Sequence, residues 1–104
     1  MIEKTEKCVN GTSFSNVTFS ASVNDLIEIF GEPTIQNNTG CDKTNFDWSL
    51  QISSGDVFTI YDWKEYRKLN LDEIIEWHIG SFTRNTANEA KSQILETFNL
   101  KIWE

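Results

Sequence analysis

Phe46-Asp47-Trp48-Ser49-Leu50-Gln51-Ile52-Ser53-Ser54-Gly55-Asp56-Val57-Phe58-Thr59-Ile60-Tyr61-Asp62-Trp63 is the stretch that decides the fold. In its first half Phe46, Trp48, Leu50 and Ile52 alternate with Asp47, Ser49 and Gln51, the two-residue period of a strand with one buried face. Val57–Trp63 is dense in β-branched and aromatic side chains, which suit a pleated surface. Ser53-Ser54-Gly55-Asp56 between them has turn chemistry, so the two runs read as an antiparallel hairpin. Two registers are open. A three-residue loop with Gly55 in the left-handed bulge position pairs Ile52 with Asp56, Leu50 with Phe58, Trp48 with Ile60 and Phe46 with Asp62. A two-residue Ser54-Gly55 loop instead pairs Trp48 with Tyr61 and Phe46 with Trp63, and buries those aromatics. The first is preferred because Phe46, Trp48, Leu50, Phe58 and Ile60 then form one continuous apolar face. It turns Thr59, Tyr61 and Trp63 outward, beside Asp47, Ser49 and Gln51.

Working outward, Glu73–Ile79 reads as a third strand after a polar connection, Lys64–Asp72. Its Ile75, Trp77 and Ile79 point inward, leaving Glu76 and His78 outward. Upstream, Ser22 with Asp25 makes a capping-box start, and Val23, Leu26, Ile27 and Phe30 form one apolar helical stripe. Gly31 offers a left-handed cap and Pro33 forbids continuation, so a helix spans Val23–Phe30. Thr34–Asp42 is a loop by composition. A last helix is expected from a Thr86-x-x-Glu89 box, burying Ala87, Ala90, Ile94, Leu95 and Phe98. Phe14–Phe19 has the partial alternation of an edge strand. The expected fold is α+β, one domain over residues 1–104, with an antiparallel sheet of three or four strands and two helices packed on one face.

The chain has 104 residues, enough for one core, and 38% hydrophobic against 24% charged residues is a globular composition. No apolar run approaches the ~18 residues of a membrane span, and the N-terminus is too polar for a signal peptide, so a cytoplasmic location is expected. Sixteen acids against nine bases give a net charge of −7, which argues against direct nucleic-acid binding through phosphate contacts. With two cysteines, Cys8 and Cys41, far apart and a single histidine, a Cys/His zinc site cannot be assembled, and reduced thiols are expected.

Recognition-grade side chains concentrate in Tyr61-Asp62-Trp63-Lys64-Glu65-Tyr66-Arg67-Lys68 and in Trp77-His78-Ile79-Gly80-Ser81, followed by Arg84. In the preferred register Tyr61, Trp63 and His78 share the solvent face, with Lys64 and Arg67 just past the strand end. Flat rings that stack a base, beside cations that pair with phosphate, suit a small nucleotide. The competing reading of each ring is plain packing. Asp62, if inward, needs a partner, and Lys64, Arg67 or Arg84 could supply one. No GxSxG, HExxH, Walker or GxGxxG pattern occurs, and no activated nucleophile or base is identifiable, so no enzyme, cofactor or metal is expected.

At Phe30-Gly31-Glu32-Pro33, Tyr61-Asp62-Trp63-Lys64 and Trp77-His78-Ile79-Gly80 the chain resembles a family of small tailed-phage accessory proteins, over about residues 22–82. Members commonly carry a second glycine where this chain has Ser81. The resemblance implies a gene that counters bacterial immunity, by sequestering a nucleotide immune signal or by occluding an effector. The expectation is therefore a non-enzymatic, phage-encoded anti-defence protein that holds a small nucleotide-type ligand, such as a cyclic nucleotide or ADP-ribose derivative. Tyr61, Trp63, Lys64, Arg67, His78 and Arg84 are its candidate ligand-binding residues. The charge leaves a second reading, an acidic protein–protein inhibitor that mimics nucleic acid. Because a small domain offers little depth for a ligand, a homodimer is expected.

Overall fold

The structure, a computed structural model, describes residues 2–41 and 43–102, the last four of them by backbone only. In chain order the elements are β1 (Glu3–Lys4), β2 (Ser13–Ala21), α1 (Val23–Phe30), β3 (Ile35–Gln36), β4 (Phe46–Gln51), β5 (Val57–Tyr61), β6 (Ile75–Ser81) and α2 (Arg84–Ile102). They form an α+β molecule with one antiparallel sheet in the order β1-β4-β5-β6-β2, with β3 also paired to β4.

The sheet has six strands, where three or four were expected from sequence. The additional pairings come from β1 on Leu50 and Gln51 and β3 on Phe46 and Asp47, both along the same side of β4. Two-residue strands are too short to leave a periodic signal, and β3 falls inside the stretch read as loop. Asp42, at the end of that stretch, lies outside the described residues. β6 runs Ile75–Ser81 rather than Glu73–Ile79, because its pairing with β5 and β2 continues through Gly80 and Ser81.

The central hairpin takes the register with the continuous apolar face: Trp48 opposes Ile60 and Leu50 opposes Phe58. Gly55 (φ +91°) occupies the bulge position, its N–H donating to the Ile52 carbonyl at 2.8 Å. A side chain there would meet the steric cost of positive φ. Phe46, Trp48, Leu50, Phe58 and Ile60 are accordingly buried, together with Trp77 and Ile79 of β6. Trp48 and Trp77 meet edge to face, centroids 5.6 Å apart. Each indole N–H finds a backbone carbonyl, Trp48 at Gly31 (3.0 Å) and Trp77 at Ala21 (2.8 Å), so neither ring strands a donor in the core.

α1 is held by its capping box. Asp25 N–H donates to Ser22 Oγ at 3.1 Å and Ser22 N–H to the Asp25 carboxylate at 3.2 Å. Gly31 ends the helix, but with φ +82° and ψ −166° rather than the left-handed helical pair expected. That region belongs almost solely to glycine. α2 begins at Arg84, three residues before the start expected from a Thr86 cap. Thr83 provides the cap, its Oγ1 accepting the Thr86 N–H at 3.2 Å, so Thr86 is inside the helix. Val23, Leu26 and Phe30 of α1 share one buried cluster with Ala87, Ala90 and Ile94 of α2 and the inward strand residues, with Phe98 packed against it. Leu95 does not belong to that stripe and is 42% exposed.

β2 is longer than the expected strand and pairs with β6 in two registers, Phe14 opposite Gly80 and Thr18 opposite His78. Four steps on β2 match two on β6, so the strand bulges between them, with Asn16 at φ +59°.

Candidate functional site

The outward face of β5 and β6 carries a cluster of rings. Tyr61 and His78 are direct cross-strand partners, centroids 5.6 Å apart. Phe14, brought over by β2, stacks on His78 at 4.2 Å with planes inclined by 22°. Trp63, two residues past the end of β5, lies edge-on to Tyr61 at 6.0 Å and 6.4 Å from His78, and keeps 40% of its surface exposed. Lys64 Nζ and Lys43 Nζ sit 5.5 Å and 5.8 Å from the Trp63 ring centre. Both lie within cation–π range of that ring.

Beside these rings is a cavity of about 270 Å³, bounded by Thr12 and Ser13 ahead of and at the start of β2, Asp47, Thr59, Tyr61 and Trp63, with Gly80 in its wall. Gly80 permits a close approach of strands. A Cβ there would lie 2.7 Å from Thr59 Oγ1 and 3.4 Å from the Tyr61 ring. The face is less open than alternation implies, since Thr59 and Ser49 are buried although they point outward.

Burial, and then the charge of Asp62, pushes the Asp47 carboxyl up from 3.8 to about 6. The Tyr61 hydroxyl is pushed up in turn, by burial first and by Asp47 second. Both effects disfavour the charged form, as desolvation and like charge do.

A polar strap, built mainly by asparagines, sets where Trp63 and the lysines stand. Asp62 is fully buried, and among the described residues no cation serves as its partner. Its carboxylate instead accepts the backbone N–H groups of Asn45 (2.8 Å) and Phe46 (2.9 Å) and the Asn45 side-chain amide (3.1 Å). The expected ion pair is thus replaced by hydrogen bonds from the start of β4, which satisfy the charge without a buried counterion. Asn45 also donates to the Arg67 carbonyl and accepts from Gly40 N–H, each at 3.0 Å. Asn38 grips Leu69 both ways, accepting its N–H at 2.7 Å and donating to its carbonyl at 3.0 Å. Lys64 N–H donates to the Lys43 carbonyl at 2.7 Å, with Lys64 at φ +55°. Gly40 passes so close that a Cβ would fall 2.6 Å from Arg67 Cα. The segments around 38–45 and 62–69 are therefore tied together, and the two lysines arrive at Trp63 from opposite segments of the strap.

Of the six candidate ligand residues the structure brings together Tyr61, Trp63, Lys64 and His78. It does not bring Arg67 or Arg84 to them. The Arg67 guanidinium forms a fork to Glu73 at 2.8 and 2.7 Å, with Glu65 at 3.8 Å. That contact raises the Arg67 pKa and lowers that of Glu73. Arg84 opens α2 beyond Ser81, which opposes Phe58, whereas Trp63 lies beyond Tyr61, at the other end of the β5–β6 pair. Phe14, Lys43, Asp47 and Gly80 join the site instead. Alternation already placed Asp47 outward and Phe14 in a strand; Lys43 lies in a loop with no local signal. His78 Nε2 stands 3.9 Å from Glu76. Cys8 and Cys41 are free and exposed, and no group of three potential metal-ligating side chains exists among the described residues.

The fold and site define an α+β protein with a ring-lined cavity on the sheet face away from its buried cluster. Comparison with known protein families, curated proteins and solved structures finds no match to this chain. No helix among the described residues is long and apolar enough to cross a membrane.

Proposed function

We propose that this chain is a phage-encoded anti-defence protein that sequesters a small nucleotide-type immune signal without cleaving it. The observation that carries the reading is one ring cluster, Tyr61, Trp63, His78 and Phe14 with Lys43 and Lys64 at Trp63, of which Tyr61 and Trp63 line the cavity. Rings stack a base, and ammonium groups beside them meet a phosphate. Residues of both helices belong to the buried cluster, which supports reading the outward side of the sheet as the one open to a ligand. We read the same residues as binding without chemistry. His78 is engaged with rings, and the cavity carries acceptors and hydroxyls rather than a nucleophile with its base.

At about 270 Å³ the cavity is small beside the ~300–1,000 Å³ of drug-sized sites, and a homodimer would add a second wall. The net charge of −7 supports a second reading, an acidic inhibitor that covers a basic effector surface.

A thermal-shift screen against cyclic nucleotides, nucleoside monophosphates and ADP-ribose derivatives tests the proposal. A ligand at 100 times its Kd adds about 2.7 kcal/mol and raises Tm by several degrees. If none of these compounds shifts the melting temperature at millimolar concentration, the sequestration reading falls and the inhibitor reading takes its place.

A further inference from the structure

Asp47 is the feature of the cavity that ring stacking leaves without a role. It sits on β4 directly opposite Tyr61, faces outward with it, and lines the cavity together with Thr59, Tyr61 and Trp63. It is half-buried, and besides its place in the sheet ladder its backbone carbonyl accepts Thr34 N–H at 2.7 Å. No side-chain hydrogen bond or ion pair to the Asp47 carboxyl is found among the described residues. The two lysines are placed at the ring of Trp63 instead. The neighbouring Asp62 shows the contrast. It is the more deeply buried acid, yet its oxygens are filled by Asn45 and Phe46. A half-buried carboxylate that faces a cavity without a protein donor is open to a ligand that brings N–H groups beside it.

We infer that Asp47 selects the base of the ligand, and that the cavity takes a guanine-type ring whose adjacent N–H donors meet the two Asp47 oxygens. This rests on the nucleotide reading proposed above and deepens it. The geometry required is a flat ring that lies among Tyr61, Trp63 and Thr59 while its donor edge faces β4. Guanine offers two parallel N–H groups on one edge, which matches the acceptor-only fork of a carboxylate. Adenine offers one donor beside an acceptor on that edge, and would set its ring nitrogen against an oxygen. Hypoxanthine keeps the ring N–H and lacks the exocyclic amine, so it isolates half of the interaction. Asp47 is thereby a specificity-determining residue, and the lysines at Trp63 supply phosphate affinity common to all bases.

The test is calorimetric titration of the wild-type protein and of Asp47→Asn with GMP, IMP, AMP and ribose 5-phosphate at pH 7.5, with circular dichroism as a check on folding. The expected result is GMP bound at least about tenfold more tightly than IMP or AMP, since a buried polar group left unpaired is rejected strongly. In Asp47→Asn that preference collapses to within about threefold, because GMP loses an acceptor while AMP is relieved of the clash with its ring nitrogen. Equal binding of GMP and AMP to the wild type overturns the inference and leaves nucleotide binding standing. A GMP preference that survives in Asp47→Asn also overturns it, because another group then reads the base. Binding of none of the three nucleotides removes the underlying nucleotide reading as well. Equal binding of GMP and IMP by the wild type overturns the inference even if Asp47→Asn does not fold, and Asp47→Ser then takes its place as the variant.

Discussion

At the scale of single residues, Trp63 and Asp62 are neighbours with opposite jobs. Trp63 is partly exposed, edge-on to Tyr61, tilted to His78 and flanked by two ammonium groups, and it stands outside the buried cluster, so removing its ring opens no core cavity. Trp63→Ala should weaken nucleotide binding by ~1–3 kcal/mol and move the urea midpoint little. A large loss of stability with unchanged binding would make Trp63 a packing residue. Asp62→Ala should do the reverse. It strands the Asn45 and Phe46 N–H groups and costs ~3 kcal/mol or more of stability, read by the same denaturation curve. Asp47 adds a pH signature. The folded protein keeps a proton on it up to about pH 6, while the unfolded chain releases it near 3.8. The stabilisation from protonation is therefore complete below 3.8 and is lost as pH rises through 6. Asp47→Asn, uncharged at every pH, should exceed the wild type in stability by about 1 kcal/mol at pH 7.5, the nominal effect being reduced by solvent at a half-exposed carboxyl. The gap should close near pH 4, and a gap that persists there would trace to packing.

At the scale of elements, the two helices are set by different caps. The box of Ser22 and Asp25 is legible as a spacing, and it holds α1 where the spacing puts it. At α2 the same rule points to Thr86, yet Thr83 captures the start because its hydroxyl reaches the Thr86 N–H first along the chain. Thr83→Ala should cost ~0.5–2 kcal/mol in thermal or chemical denaturation, and Thr86→Ala clearly less. The hairpin shows the same economy. The continuous apolar face distinguishes the three-residue loop from the two-residue one, and that choice sends Tyr61 and Trp63 outward rather than into the core. The polar strap is the counterpart without periodicity, since the bonds of Asn38, Asn45 and Asp62 span 5 to 31 residues.

At the scale of the whole molecule, a cavity this small calls for a second wall. A dimeric mass by light scattering at micromolar concentration is the expected outcome, and a monomer would leave the cavity to be walled by this chain alone. What the sequence by itself determined is the sheet's core. Alternation in β4, β5 and β6, the stripe of α1 and the turn at Gly55 are local patterns. A local pattern is enough to decide which side chains must leave water. Tyr61, Trp63 and His78 could be placed on one face for that reason. Only the tertiary structure decided that Phe14 and Lys43 join them, that Asp62 is held by amides, and that Arg67 turns to Glu73. It also placed Arg84 at the far end of the β5–β6 pair. Those outcomes depend on contacts between segments distant in the chain, such as β2 with β6 and residues 38–45 with 62–69, whose partners no spacing in the sequence specifies. Hydrophobic burial is written residue by residue, whereas the pairing of polar groups is settled only when the chain has closed around them.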